Sequence, residues 1–480
     1  MPYRIHPAIL WAALVVLLAA LALARPLDHD ESQYVAAAML SAYGALPYRD
    51  YLYLQTPLQP LLFAPLALLF GGLAWPGLRI VNALLGAGAV MGAYAGMRAA
   101  RVPTAIAAAS AALFACCDIL LFSIGTARND ALPLALFAAA LPLMVRGSRG
   151  EATPLSALLA GLLLAGAAAA KVSYAVPALA YGIVALVDRR HRPLLVAAGA
   201  GPVVVLIGWL YAVAPAGFAF GVLTFPARAP AEYYLAAGKA WKLGGLAKMG
   251  DTLKFLALGP ALPALLWVLR DRRRDRTRVL LDALIVAGLV AALLPAPTWR
   301  QYLAPVLPPL FARLALAWQA RPPGKPARII ALVFAVAGLA PSVEAGVSAL
   351  HATPMLTALR QSVAIRAALD GSGSRGPVVT LSPQFLAGTG HMPDARFAAG
   401  PFYFRSRRLL DPAQEPALHA VSRDRLGALG DPPAILVGGE GAWTSGDAGL
   451  DAMLANWARS RGYRAVAVPG GRFTLYIRPR

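Results

Sequence analysis

The residues best suited to chemistry lie together at Asp28-His29-Asp30-Glu31, continuing into Ser32-Gln33-Tyr34, directly after an apolar stretch over residues 8–24. Most other charges sit at the ends of apolar runs. An enzyme handling a lipid-linked substrate would keep its carboxylates at such a bilayer edge. Asp28 and Asp30 flank an imidazole, a set that could hold a divalent ion through oxygen ligands. A blander reading competes. Tyr34 to Leu40 has the pattern of an amphipathic helix lying along the interface. A helix amino end favours carboxylates, so the run could be a cap with solvated charges.

Composition sets the class. With 480 residues, 59% hydrophobic and 14% charged, and repeated apolar runs of about 15 to 20 residues, the chain reads as an all-α polytopic membrane protein. It does not read as a soluble enzyme with an anchor. The net charge of +21 comes largely from arginines in short loops between apolar runs, where they act as topology signals. Nucleic acid is therefore excluded as a partner, and membrane lipids are expected. The first apolar stretch resembles a signal peptide, but Leu23-Ala24-Arg25-Pro26 is a poor cleavage site and many spans follow, so it is a retained span. Cys116 and Cys117 are adjacent, offering neither an ordinary disulfide nor metal spacing, and read as small core residues in an apolar helix.

Arg4 ahead of the first span places the amino terminus in the cytoplasm and the acidic run outside. The segment 57–70, about 14 residues with Pro57, Pro60 and Pro65, suits a juxtamembrane or re-entrant helix better than a span. Leaving it out puts Arg98 and Arg101, Arg146 and Arg149, Arg189 to Arg192, Arg270 to Arg278 and Arg321 to Arg328 all inside. The spans are then roughly 8–24, 76–97, 103–122, 130–145, 154–170, 172–187, 193–213, 253–269, 279–295, 302–319 and 327–342, about eleven in all. This defines a transmembrane domain over 1–342.

Beyond residue 343 the apolar runs shorten. Pro377 to Leu381, Ala434 to Val437 and Phe473 to Ile477 read as strands, and Asp447 to Gly462 as a helix. A small soluble α/β domain over 343–480 is expected on the outer, periplasmic face. Gly438-Gly439-Glu440-Gly441 lacks the glycine spacing and lysine of a nucleotide loop and reads as a turn. No repeat or low-complexity linker is visible.

The outer loops hold further polar residues. Arg49, Asp50 and Gln55 share the first loop with the acidic run, and Arg128-Asn129-Asp130 forms the next. Tyr34 lies near the acids, and Tyr48, Tyr51, Tyr53, Trp299 and Tyr302 could stack on a sugar or belong to an aromatic belt. Asp130 at a helix start is also an ordinary cap. The stretch 215–251 is long for a connector and mixes aromatics with Glu232, Lys239, Lys242 and Lys248; such a loop suits a lid over a ligand or a rest on anionic headgroups.

Asp30-Glu31-Ser32-Gln33-Tyr34, then Gly44-Ala45-Leu46-Pro47-Tyr48-Arg49-Asp50 and Pro57, resemble the first outer loop of glycosyltransferases of the C superfamily. The likeness is to the protein mannosyltransferase and lipid A aminoarabinose transferase branch. Phe70-Gly71-Gly72, Leu78-Arg79-Ile80-Val81-Asn82, Ala127-Arg128-Asn129-Asp130 and Ala170-Lys171 follow in matching order. The resemblance covers roughly residues 1 to 320.

It implies a polyprenyl-phosphate sugar donor, with an outer-loop aspartate, here Asp30, activating an acceptor hydroxyl that attacks the anomeric carbon with inversion. A positioned carboxylate can accept that proton as the bond forms. Glu31 and Asp130 are implied helpers. The phosphate leaving group needs positive charge but no acid, and Lys171, Arg128 and Arg300 are the candidates. Lone basic residues at helix ends also snorkel to headgroups. Tyr34, Tyr48, Asp50, Gln55 and Tyr302 are the expected substrate contacts. The acceptor class is a glycolipid, polysaccharide or protein, and the setting a bacterial inner membrane. No cofactor is required, although a divalent metal on Asp28, His29 and Asp30 is chemically possible. One departure stands out: where the aminoarabinose branch has Glu-Lys before the proline, this chain has Gln55-Thr56-Pro57, without that cation.

A transporter or flippase of lipid-linked sugars is the competing class. Transporters carry ionisable residues near the midplane on broken helices of repeated halves. Here the acids cluster in outer loops. A receptor or assembly protein would leave the acidic loop unexplained.

Overall fold

The computed structural model describes residues 7–406, 409–441 and 443–479, so Arg4 and its topology reading lie outside the described residues. The chain is mostly helical, with one small sheet near its end. Helix α1 (Pro7–Ala24) leads into the acidic run, which opens directly onto α2 (Glu31–Ala42). Helices α3 (Leu58–Phe70) and α4 (Ala74–Ala99) are separated at Gly71, whose φ of 50° is poorly tolerated by other residues. Then come α5 (Thr104–Ala115), α6 (Asp118–Ile124), α7 (Ala131–Ser148), α8 (Pro154–Ala170), α9 (Ala175–Val187) and α10 (Pro193–Val213).

The stretch 215–251 is not a structureless loop. It forms α11 (Pro215–Ala219), a π-helical turn, α12 (Phe225–Ala236), a 3₁₀ turn and the start of α13 (Gly245–Ala257). Prolines at 215, 226 and 230 and glycines at 238, 244 and 245 break it into short pieces, hiding the helical periodicity. Helices α14 (Ala261–Arg270), α15 (Arg276–Leu293), α16 (Leu307–Ala320) and α17 (Lys325–His351) complete the bundle. Helix α17 runs uninterrupted through residue 342.

Four described stretches are long and apolar enough to cross a membrane: Leu58–Ala99, Ala131–Ser148, Pro193–Val213 and Lys325–His351. Two bent pairs raise the number to at most six, against the eleven expected. Part of the remaining difference is one of length, because Ile9–Ala24, Pro154–Ala170 and Val172–Val187 are apolar helices of fewer than 18 residues; the two bent pairs are expected spans that are broken. The expected span 103–122 bends by 64° between α5 and α6, and 253–269 bends by 99° between α13 and α14. Cys116 and Cys117 thus lie at a helix break, not inside a helix. The two breaks pack together: the amide of Asp118 donates to the Leu258 carbonyl at 3.1 Å, and a Cβ on Gly259 would stand 2.8 Å from the Cys117 Cα.

After α18 (Pro354–Ser372) come β1 (Val378–Val379), the short α19 (Pro401–Phe404), β2 (Ala434–Gly438), α20 (Ala448–Ser460), β3 (Arg464–Ala467) and β4 (Phe473–Ile477). The sheet order is β1-β2-β4-β3, with β1 parallel to β2 and the other pairs antiparallel. Strand β2 is buried on both faces: Ala434 and Leu436 join a core with α18, and Ile435 and Val437 one with α20. Strand β3, mostly exposed, was not among the expected strands.

The core under the sheet also holds Val35 and Met39 of α2, Phe63 of α3 and Trp75 of α4. Glu31 through Leu40 are therefore buried in protein on every side. The expectation of an interfacial α2 is corrected: Ala36-Ala37-Ala38 permits close packing under the carboxyl-terminal segment.

Candidate active site

The acidic run is held in place by one buried ion pair. Glu31 and Arg79 are fully buried, joined at 2.5 Å and 2.7 Å. The remaining guanidinium hydrogens go to the carbonyls of Ala22, Arg25 and Pro26 at 2.9 to 3.1 Å, which satisfies the open carboxyl end of α1. Glu31 accepts further from Trp75 Nε1 at 3.0 Å, from the amide of Ala127 at 2.8 Å and from the amide of Asp28 at 3.2 Å. One carboxylate thereby fixes the end of α1, the acidic run, α4 and the loop before Arg128. With both oxygens engaged, Glu31 does not face the cavity described next.

That cavity, of about 380 Å³, is lined by Asp28, His29 and Asp30 from the run, Tyr34 from α2, Gln55, Arg128, and Lys171 from the end of α8. Tyr233 and Tyr234 of α12, Trp299, Tyr302, Phe402 and Arg405 line it as well. Arg128 is the hub. Its Nη1 stands 2.8 Å from Asp30 and 3.1 Å from Asp28, and its Nε 3.2 Å from Asp130. Asp130 lies behind the cavity wall, buried, and pairs with Lys171. The Lys171 ammonium also lies 5.3 Å from the centre of the Tyr302 ring.

Burial raises the pKa of Asp30, opposed by the attraction of Arg128 and assisted by the nearby charge of Asp28. Asp28 is half-buried and desolvated too, but Arg128, the Asp30 amide and His29 outweigh that desolvation and lower its pKa. The two carboxylates sit side by side and are pushed apart in acidity. The one raised is better matched to proton acceptance.

Asp28, His29 and Asp30 offer ligand atoms within 4.8 Å of one another. Each carboxylate oxygen already has a partner: Asp28 Oδ1 accepts from the Asp30 amide at 2.9 Å, Oδ2 and Asp30 Oδ2 face Arg128, and Asp30 Oδ1 lies 3.3 Å from His29 Nε2. A cation here would have to displace Arg128 from the Oδ2 atoms or the amide and imidazole contacts from the Oδ1 atoms, so the set fits a metal poorly.

The other expected residues divide. Tyr34, Gln55 and Tyr302 line the cavity. Tyr48 does not line it but donates to the Gln55 carbonyl at 2.5 Å, and Asp50 is away from it, paired with Arg49 at 2.6 Å. Arg300 sits at the margin, bound to Asp118 at 2.7 Å with its guanidinium 3.9 Å from the Phe122 ring centre. The sequence gives no role to Arg405, Phe402, Phe122 or Asp118, whereas Tyr233 falls in the 215–251 stretch expected as a lid and Arg79 in a family-like string.

The chain shares its overall fold with several solved structures. Among solved structures it is similar to ArnT from Cupriavidus metallidurans bound to undecaprenyl phosphate, at 15% identity over 98% of this chain and 99% of that one, with a TM-score of 0.64. It is also similar to the arabinofuranosyltransferase AftD from Mycobacteria, at 17% identity over 99% of this chain and 40% of that one, with a TM-score of 0.53. A third is the archaeal oligosaccharyltransferase AglB from Archaeoglobus fulgidus, in complex with an inhibitory peptide and a dolichol-phosphate, at 12% identity over 98% and 74% and a TM-score of 0.51. The sequence matches no protein-family profile and no curated protein.

Proposed function

We propose that this chain is an inverting glycosyltransferase that moves a sugar from a polyprenyl-phosphate donor to a hydroxyl of an envelope glycolipid, polysaccharide or protein. The setting is the periplasmic face of a bacterial inner membrane. The carrying observation is a half-buried Asp30, raised in pKa by desolvation, in one cavity with Lys171 and Arg128. The fold shared with a protein bound to undecaprenyl phosphate supports the donor class.

In the reaction the acceptor oxygen forms the new bond to the anomeric carbon as the bond from that carbon to the phosphate oxygen breaks. Asp30 takes the hydroxyl proton, and the electron pair leaves with the phosphate. A phosphate leaves without protonation, so cations suffice. Lys171 holds that charge while Asp130 orients it, and Arg128 keeps Asp28, Asp30 and Asp130 in register. Tyr34 and Tyr302 supply ring surface and Gln55 a polar contact for the sugar. Glu31 acts through position, by fixing the run. Residues 1–342 supply the charged centre, and 343–480 cover it.

Transfer from a polyprenyl-phosphate sugar by purified protein, compared with Asp30→Ala, tests the reading. General-base loss lowers the rate by roughly 10²–10⁴-fold. A variant that transfers at the parent rate overturns it.

A further inference from the structure

Each of the three cations assigned to the phosphate is already claimed. Arg128 faces three aspartates, Lys171 faces Asp130, and Arg300 faces Asp118. An arriving phosphate would have to compete with those carboxylates. One guanidinium in the cavity wall is different. Among the described residues Arg405 makes no ion pair and no side-chain hydrogen bond, although it is half-buried. Its charge rests on two rings, 4.8 Å from the centre of Phe402 and 4.9 Å from that of Tyr233.

Ring faces hold a guanidinium in place while leaving its hydrogens free. A guanidinium with five donors and no acceptor is an incomplete arrangement, and a planar fork suits two phosphate oxygens. Desolvation lowers its pKa, with the pull of Asp30 next and opposed, so burial costs the charge something that an anion would return. The backbone is built to put it there. Gly400 adopts φ 59° and ψ −134°, where a Cβ would collide with Ser32 of α2, and the chain then turns directly into α19 and Arg405.

We infer that Arg405, delivered from the carboxyl-terminal segment, binds the phosphate of the lipid donor in the cavity that Lys171 also lines. The inference rests on the donor class proposed above. It gives the segment after residue 343 a direct part in substrate binding, and supplies a cation in a chain where Gln55-Thr56 offers none.

The test uses full-length protein in detergent, with undecaprenyl phosphate and undecaprenol as probes read by Trp fluorescence, since Trp299 lines the cavity. The Arg405→Ala variant should weaken undecaprenyl phosphate binding about ten- to hundredfold, the loss of a charge-assisted contact, and leave undecaprenol binding unchanged. Arg405→Lys should recover part of the loss. Equal affinity for undecaprenyl phosphate in wild type and Arg405→Ala overturns the inference alone. So does an equal loss for both lipids, which would mark a structural role. A wild type that binds undecaprenyl phosphate no better than undecaprenol overturns the donor reading and the inference with it.

Discussion

Glu31 and Asp30 are neighbours with opposite expected behaviour, and replacing each by its amide separates position from chemistry. Glu31 accepts five hydrogen bonds, two from Arg79 and one each from Trp75, Ala127 and Asp28. In Glu31→Gln one oxygen becomes an NH₂ group. Even in the better orientation, with the oxygen kept toward Arg79 Nε, Trp75 and Ala127, the new donor faces Arg79 Nη2 and the Asp28 amide. Arg79 also stays fully buried with no counter-charge. Breaking one side of a buried pair costs about 3–5 kcal/mol. At roughly 2 °C per kcal/mol for a large domain, the thermal midpoint falls by about 6–10 °C. Asp30→Asn should do the reverse: burial disfavours the charge of Asp30, so neutralising it leaves the midpoint equal or higher while transfer is lost. Thermal unfolding in detergent and a transfer assay on the same samples decide. A Glu31→Gln protein that melts with the wild type yet transfers no sugar would refute the anchoring role and assign Glu31 to the chemistry.

Asp30 must be ionised to accept a proton, and its folded pKa is raised, so kcat/KM should fall on acidification through a limb above the ordinary aspartate value near 3.9. The stability sign is opposite: the folded form binds this proton more tightly than the unfolded one, so the Asp30 contribution improves as pH drops from above the raised value toward the ordinary one. A pH–rate limb at or below 3.9 contradicts this. Chelation with EDTA should leave the rate within about twofold, because Arg128 already occupies the carboxylates a metal would need; loss with EDTA and recovery with a divalent salt would show otherwise. Gly400→Ala should shift Arg405 and weaken donor binding several-fold, at a stability cost of about 1–3 kcal/mol from the positive φ and the contact with Ser32. Calorimetric donor titration against thermal unfolding measures both.

The charged centre was legible because its parts sit at helix ends in short polar strings: Asp28-His29-Asp30 before α2, Arg128-Asn129-Asp130 before α7, Lys171 after α8. Membrane proteins place few charges elsewhere, so each string stood out. Arg405 did not, since Phe402-Tyr403-Phe404-Arg405 reads like any aromatic stretch of a soluble domain. Its meaning depends on a turn at Gly400 that brings it to α2. The small residues of α2 suit a membrane surface or close packing equally, and only the core beneath the sheet decides between them. The helix breaks differ in visibility. Gly259-Pro260 is a breaker pair that hydropathy overrode, whereas Cys116-Cys117 carries no breaker and is bent by the packing of Gly259 and Gly338 against it.

The aspartates, Arg128 and Lys171 all come from the first 171 residues, while much of the remaining lining comes from α12, the 299–302 turn and the 402–405 segment. Heredity can act on these two sets separately. On the proposed function, substitutions at Tyr233, Trp299 or Phe402 would reshape the space offered to a sugar while leaving the carboxylates themselves unchanged. A lineage could then change what is transferred, and onto what, while the residues proposed to take the proton are passed on intact.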